Sequence, residues 1–273
     1  MHGLRIPKLL LVAGILSLFL GGCGMRIAST AERKATLAPF GNSKYGSQAM
    51  QRFLTERSGL LVADPFVLLP AKQAAHDPHR LGILGFGASN SVAAAIDSRG
   101  YFLTTSHSVG KANQSIAFWK KDRIVIANSR VVWRGSISSR EPDLAILHVP
   151  YQLDRVFEWA SISEARPFVF AAGLESDGVR HRLDHISGRV TRVSRETKRI
   201  PVTTAILHNA PLHRGDSGGP LTTSDGQLLG VNVLIRLSIL LPKPIGIAER
   251  PDLNWLRAVI EKDASLLKAS DRD

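Results

Sequence analysis

The chain has 273 residues, 44% of them hydrophobic and 21% charged, with 35 Lys or Arg against 23 Asp or Glu for a formal charge of +12. That balance excludes a chain disordered throughout and supplies enough apolar material for a large core. No internal repeat marks a solenoid, and a single cysteine, Cys23, excludes any intrachain disulfide.

Arg5 and Lys8 precede an uncharged, mainly apolar run of 12 residues, Leu9 to Leu20, with Ser17 its one polar side chain. A membrane-spanning helix needs about 20 such residues, whereas the apolar core of a signal peptide takes about 7–15. Residues 1–22 therefore read as an export signal. The four residues that end at Cys23, Leu20-Gly21-Gly22-Cys23, are similar to the bacterial lipoprotein box, in which the cysteine is lipidated and becomes the first mature residue. The expectation is an exported lipoprotein facing the periplasm. Acyl chains such as palmitate on Cys23 would hold it to a membrane, each buried CH₂ contributing about 0.8 kcal/mol.

Residues 23–79 read as a tether and N-terminal extension: a polar stretch, a short amphipathic stretch around Met50, Phe53, Leu54 and Leu60, then DPFVLLP, whose prolines break regular structure. Short β-rich runs begin after Arg80: SVAAAI, a DSRG turn, YFLTT, SIAFW, RIVIANSRVVW, LAILHV, FVFAAG, ISGRVTRV, TTAILH, then PLTT and QLLGVNVLI around an SDG turn. No helical pattern separates them, so they predict an antiparallel, all-β domain over residues 80–262. A closing helix follows, with Pro251 in its first turn and Leu253, Leu256, Val259 and Ile260 on one face. Residues 263–273 read as a flexible tail.

Seven Lys or Arg lie between Arg180 and Arg199, against Asp184 and Glu196. With no aromatic side chain interleaved, they read as a solvated strand face, and no nucleic-acid partner is expected. His181 and His185, and His76 and His79, have spacings that can ligate zinc, but neither pair has a third ligand near it. No metal and no cofactor is expected.

The chemistry concentrates at residues 213–220, HRGDSGGP. GDSGG satisfies the G-x-S-x-G pattern of a nucleophile elbow, whose histidine follows the serine in the chain and whose serine opens a helix. Here the last histidine, His213, precedes Ser217, and β-rich runs rather than a helix follow Pro220, so that reading fails. The other arrangement runs histidine, aspartate, serine. YFLTTSHSV carries an apolar run to His107, and EPDLAILHV places Asp143 at the start of another. An Asp-His-Ser order through Asp97 lacks the helix that should begin at the serine.

With these three in order, residues 80–262 resemble the trypsin-like serine peptidases, and among them the disulfide-free HtrA-type branch. SVAAAIDSRGYFLTTSHSV, PDLAILHV, GDSGGPLTTSDGQLLGVNVL and PIGIAERPDLNWLRAVIEK carry the likeness. The resemblance implies a two-barrel antiparallel fold with a C-terminal helix and an endopeptidase acting on protein or peptide substrates. It implies a catalytic triad of His107, Asp143 and Ser217 and an oxyanion hole at the backbone N–H groups of Gly215 and Ser217. Gly218, Gly219 and Pro220 shape the exit from that loop. HtrA relatives usually carry a peptide-binding PDZ domain after the peptidase, and none is read here after Lys262.

Asp216 matches the animal-type enzymes, where it pairs with a freshly cut N-terminus; here a local base such as Arg214 is the expected partner. Enzymes that cut after Lys or Arg hold an aspartate six residues before the serine, where this chain has Pro211. The pocket is expected at Pro211, Leu212, Asn232, Val233 and Leu234, with a preference for small or medium apolar side chains; His208 and His213 lie near it in sequence, and Arg214 or Arg236 offers a preference for acidic groups. The alternative function is a catalytically silent scaffold that keeps the fold and binds peptides or proteins.

Overall fold

The structure is a computed structural model and describes residues 47–65, 67–70, 82–86, 89–121, 123–136, 140–162, 168–176, 180–236 and 245–270. Cys23, the signal segment, His76 and His79 lie outside the described residues.

Two antiparallel sheets make up the fold. The first contains β1 (Ser58–Ala63), β4 (Ser89–Asp97), β5 (Tyr101–Thr104), β6 (Gln114–Lys120), β7 (Arg123–Asn128), β8 (Arg130–Arg134) and β9 (Ala145–His148), in the order β7-β6-β1-β4-β5-β9-β8. The second contains β2 (Val67–Pro70), β3 (Gly82–Phe86), β10 (Phe168–Ser176), β11 (Arg180–Glu196), β12 (Thr203–His208), β13 (Pro220–Thr223), β14 (Leu228–Arg236) and β15 (Ile245–Pro251), in the order β10-β13-β14-β15-β12-β11-β3-β2. A further pairing of β10 with β11 closes six of these strands into a barrel. The fold is the expected all-β, two-barrel one.

Alternation along the strands explains why two sheets need three cores. In β4, Ala93 and Ala95 face the interior of the first sheet, whereas Val92, Ala94 and Ile96 face a core that the two sheets share. In β10, Val169 and Ala171 face the interior of the second, whereas Phe170, Ala172 and Leu174 join that shared core. A period of two thus gives each strand two buried faces, one for its own barrel and one for the junction.

Several boundaries differ from the sequence expectations. Ser58–Ala63, assigned to an extension, is β1 in the middle of the first sheet, paired to both β4 and β6 and buried at every position. The preceding amphipathic stretch is α1 (Ser47–Thr55), which buries Met50 and Leu54 in the shared core. Within DPFVLLP, Asp64 and Pro65 follow the end of β1 outside any strand, but Val67–Pro70 form β2, the outermost strand of the second sheet, where a proline costs few ladder bonds.

Pro251 ends β15 instead of opening the helix. The cap is Asp252, whose Oδ1 accepts the N–H groups of Asn254 at 3.0 Å and Trp255 at 2.9 Å. The helix, α2 (Leu253–Ser270), continues through most of the expected tail because Ala264 repeats the buried spacing of Leu256 and Ile260.

Candidate active site

The histidine comes from the first sheet. After β5 the chain makes a 3₁₀ turn at Ser106–Ser108, which turns His107 outward from a buried strand end. Arg134 braces the turn: its Nε donates to Ser106 Oγ at 3.2 Å, and its two Nη groups donate to the carbonyls of Gly110 and Val109. Thr105 and Ser108 share a hydroxyl hydrogen bond of 2.6 Å beneath it. The hydroxyl residues around His107 therefore fix a turn as well as leave the ring room.

Asp143 stands two residues before the start of β9, the neighbour of β5. Its Oδ1 accepts the backbone N–H of His107 at 3.0 Å, and its Oδ2 lies 2.6 Å from His107 Nδ1. Two contacts to one residue fix the angle of the imidazole as well as its distance. With the carboxylate on Nδ1 the proton resides there, and Nε2 is left as an acceptor. His107 Nε2 in turn lies 3.0 Å from Ser217 Oγ.

Ser217 comes from the second sheet, in the loop between β12 and β13. Gly215 has φ +96° and Gly218 has φ +77°, values that a residue with a side chain rarely adopts. Gly218 has a second reason to be glycine: a Cβ there would lie 2.0 Å from the carbonyl oxygen of Val92 and 2.2 Å from Thr104 Oγ1. That contact is where the sheets meet at the site, and it is reinforced by Val92 N–H donating to Ser217 O at 3.0 Å.

Asp216 is buried, with 1% of its surface exposed. Its Oδ1 accepts the N–H of Leu174 at 2.7 Å and its Oδ2 that of His213 at 2.6 Å. The expected local partner is thus backbone N–H from β10 and from its own loop; the exposed Arg214 does not figure in either bond. No signal in the sequence marks Leu174 for this role, because any non-proline residue supplies the same donor. Among the described residues, neither the Gly215 nor the Ser217 N–H enters a backbone hydrogen bond.

Of the expected pocket residues, Leu212, Asn232 and Val233 are buried and Pro211 is half-buried; the side chains of Leu234 and Arg236 lie outside the described residues. Asn232 borders the Ser217 loop directly, its carbonyl accepting Gly218 N–H at 2.7 Å and its N–H donating to Gly219 O at 2.9 Å. His208 is fully buried beside it. His213 is half-buried, and His181 and His185 fall in β11 with side chains outside the described residues.

Behind the site, Glu249 of β15 is buried and receives Nη1 of Arg199. Burial pushes its carboxyl above the usual range, the Arg199 cation works against that, and the nearby Asp143 adds to the rise.

Residues 92–231 match the family described as trypsin-like peptidase domain. The match opens at Val92, against the Ser217 loop, and includes His107, Asp143 and Ser217. No curated protein matches the chain. Among solved structures, an HtrA-type protease with a tripeptide matches with a TM-score of 0.53 at 19% identity, over 74% of this chain and 58% of that one. The serine endoprotease from Yersinia pestis matches with a TM-score of 0.51 at 17% identity, over 77% of this chain and 65% of that one. The chain thus spans less than two thirds of either protein, and at such identity the likeness is one of fold.

Proposed function

Because this chain belongs to the trypsin-like peptidase domain family, we propose that it is a membrane-anchored serine endopeptidase that hydrolyses peptide bonds of exported proteins through an acyl-enzyme. One observation carries the reading: the unbroken sequence of contacts from Asp143 to His107 to Ser217, 2.6 Å and then 3.0 Å.

A serine hydroxyl is a weak nucleophile at neutral pH, and His107 Nε2 accepts its proton as Oγ attacks the substrate carbonyl. The imidazolium so formed is stabilised by Asp143, which also holds the tautomer. The tetrahedral oxyanion takes hydrogen bonds from the N–H groups of Gly215 and Ser217; one such donor is typically worth about 10²–10³ in turnover. His107 then gives the proton to the leaving amine, the C–N bond breaks, and an ester on Ser217 remains. Water, deprotonated by the same imidazole, hydrolyses that ester and returns the serine.

The anchor is the lipid on Cys23, supported by the short apolar run before it and by its being the only cysteine of the chain. One fractionation experiment tests both parts. Hydrolysis of an unstructured protein should sediment with membranes for the full chain, become soluble for Cys23→Ala, and vanish from every fraction for Ser217→Ala. Activity that stays on membranes in Cys23→Ala removes the anchor, and activity that persists in Ser217→Ala removes the mechanism.

A further inference from the structure

Arg250 is a buried cation for which the described residues supply no anion. It is 9% exposed, its Nη1 donates to Ala160 O at 2.6 Å, and its guanidinium carbon lies 5.1 Å from the centre of the Trp159 ring. Among the described residues no carboxylate pairs with it, and its Nε and Nη2 groups meet no acceptor. Burial alone acts on its pKa and pushes it down, yet a guanidinium in a protein keeps its proton. A charge kept in such a place calls for an anion to offset its desolvation.

The surroundings have room for one. Arg250 lines a cleft of about 430 Å³ between β11, β12, β15 and the start of α2, a volume in the ordinary range of ligand sites. Strand register puts three of its residues in one row: Thr204 is opposite Arg195 on one side and opposite Arg250 on the other. Residues in such a row share a face of the sheet. The two arginines stand two strand spacings apart, about 10 Å, an interval that side chains of this length reach across. The adjacent Glu249 turns to Arg199 instead, as alternation along β15 requires. The cleft therefore opens on the opposite face of β15 from the carboxyl that stands behind the active site.

Chemistry selects among anions. With Nη1 taken by Ala160, the edge left on Arg250 is the Nε and Nη2 pair, two parallel donors that match the two oxygens of a carboxylate. Asp252 also lines the cleft; its Oδ1 is engaged by N–H groups at the start of α2, and its charge favours a singly over a doubly charged guest. Val193, Val202 and Leu253 give apolar walls, while Thr204 and Asn254 offer hydrogen-bonding side chains. A fatty acid would leave those two unused, whereas an amide bond next to the carboxylate would engage them. We propose that this cleft is a docking site for the C-terminus of a peptide chain, its carboxylate held by Arg250 and Arg195 and an apolar last side chain set against Val193, Val202 and Leu253. Docking needs no catalysis, so the inference is separate from the triad reading.

The test is calorimetric titration of the full-length Ser217→Ala chain, used so that peptides stay intact. The probes are an acetylated tetrapeptide ending in valine and the same peptide amidated at its C-terminus. The acid should bind, and the amide should bind about 10- to 100-fold more weakly, the usual weight of hydrogen bonds to a charged group. Arg250→Met in the same chain should weaken the acid by a similar factor and keep its near-ultraviolet circular dichroism, since an apolar side chain replacing a buried unpaired charge does not cost the fold. Should that variant not fold, Arg195→Gln, at an exposed position, is read instead, with an expected loss of about 3- to 5-fold. Equal binding of acid and amide, binding of neither, or tighter binding of inorganic phosphate or decanoate overturns the proposal. So does unchanged binding in folded Arg250→Met or in Arg195→Gln. Labelling of Ser217 in the wild type by a fluorophosphonate tests the triad independently of all these outcomes.

Discussion

Asp216 shows how a buried charge can hold a loop in its working shape. Its two oxygens take N–H groups from Leu174 in β10 and from His213 in its own loop, so the loop bearing Gly215 and Ser217 is tied to the barrel wall at the residue between them. No freshly cut N-terminus figures in those bonds. In Asp216→Ala both N–H groups lose a buried acceptor, at about 1–3 kcal/mol each, and the two donors beside Ser217 lose their fixed direction. We expect kcat on a peptide substrate to fall on the order of 10²-fold with KM changed much less, and Asp216→Asn, which keeps one oxygen, to fall between. Steady-state kinetics on the three proteins decide it. Equal kcat would mean that the loop holds its shape without the carboxylate. The residues meant for chemistry were readable in sequence because their order and flanking strands are constrained. Leu174 and Thr104 were not, since their roles depend on what folding brings beside them.

The C-terminal helix illustrates the same limit one level up. Its apolar stripe predicted a helix, but not that α2, following directly on the second sheet, packs against the first. There Trp255 meets Trp133 edge-on at 4.8 Å, Arg130 Nη1 donates to Asp263 Oδ1 at 2.7 Å, and the buried Tyr101 hydroxyl donates to Asp263 Oδ2 at 2.9 Å. Burial raises the Asp263 carboxyl, and the hydrogen bonds from Arg130 and Tyr101 more than reverse this, so it sits below the usual aspartate range. A carboxyl depressed in the folded state adds stability above its unfolded pKa of about 4 and loses it as pH falls through the folded value. Asp263→Asn should therefore cost on the order of 1 kcal/mol at neutral pH. The gap between the wild type and the variant should narrow as pH falls from about 4 into the acid range. Denaturation midpoints against pH measure this, and a constant gap across that range would contradict it. The extension failed for a related reason: SGLLVA stands apart from the β-rich runs that begin after Arg80, and only its partners β4 and β6 reveal it as a central strand.

The two barrels matter because neither holds the site alone. His107 and Asp143 belong to the first sheet, Ser217 and the N–H groups of Gly215 and Ser217 to the second, and Val92, Thr104 and Gly218 join them by close contact. The shared core, to which the first sheet gives Val92 and Leu103 and the second Phe170 and Val231, therefore sets the distance between His107 and Ser217. Alternating strands and turn residues made the all-β class readable in the sequence; the pairing order, which decides that β5 and the β12–β13 loop face one another, is a long-range outcome that no local pattern encodes. The measurement that tests the central claim most directly is mass-spectrometric mapping of a fluorophosphonate probe on the folded protein, beside Ser217→Ala and His107→Ala. The account predicts a single adduct on Ser217, absent from both variants because each removes one end of the 3.0 Å contact. A folded wild type that takes no label, or one labelled equally well without His107, would contradict it.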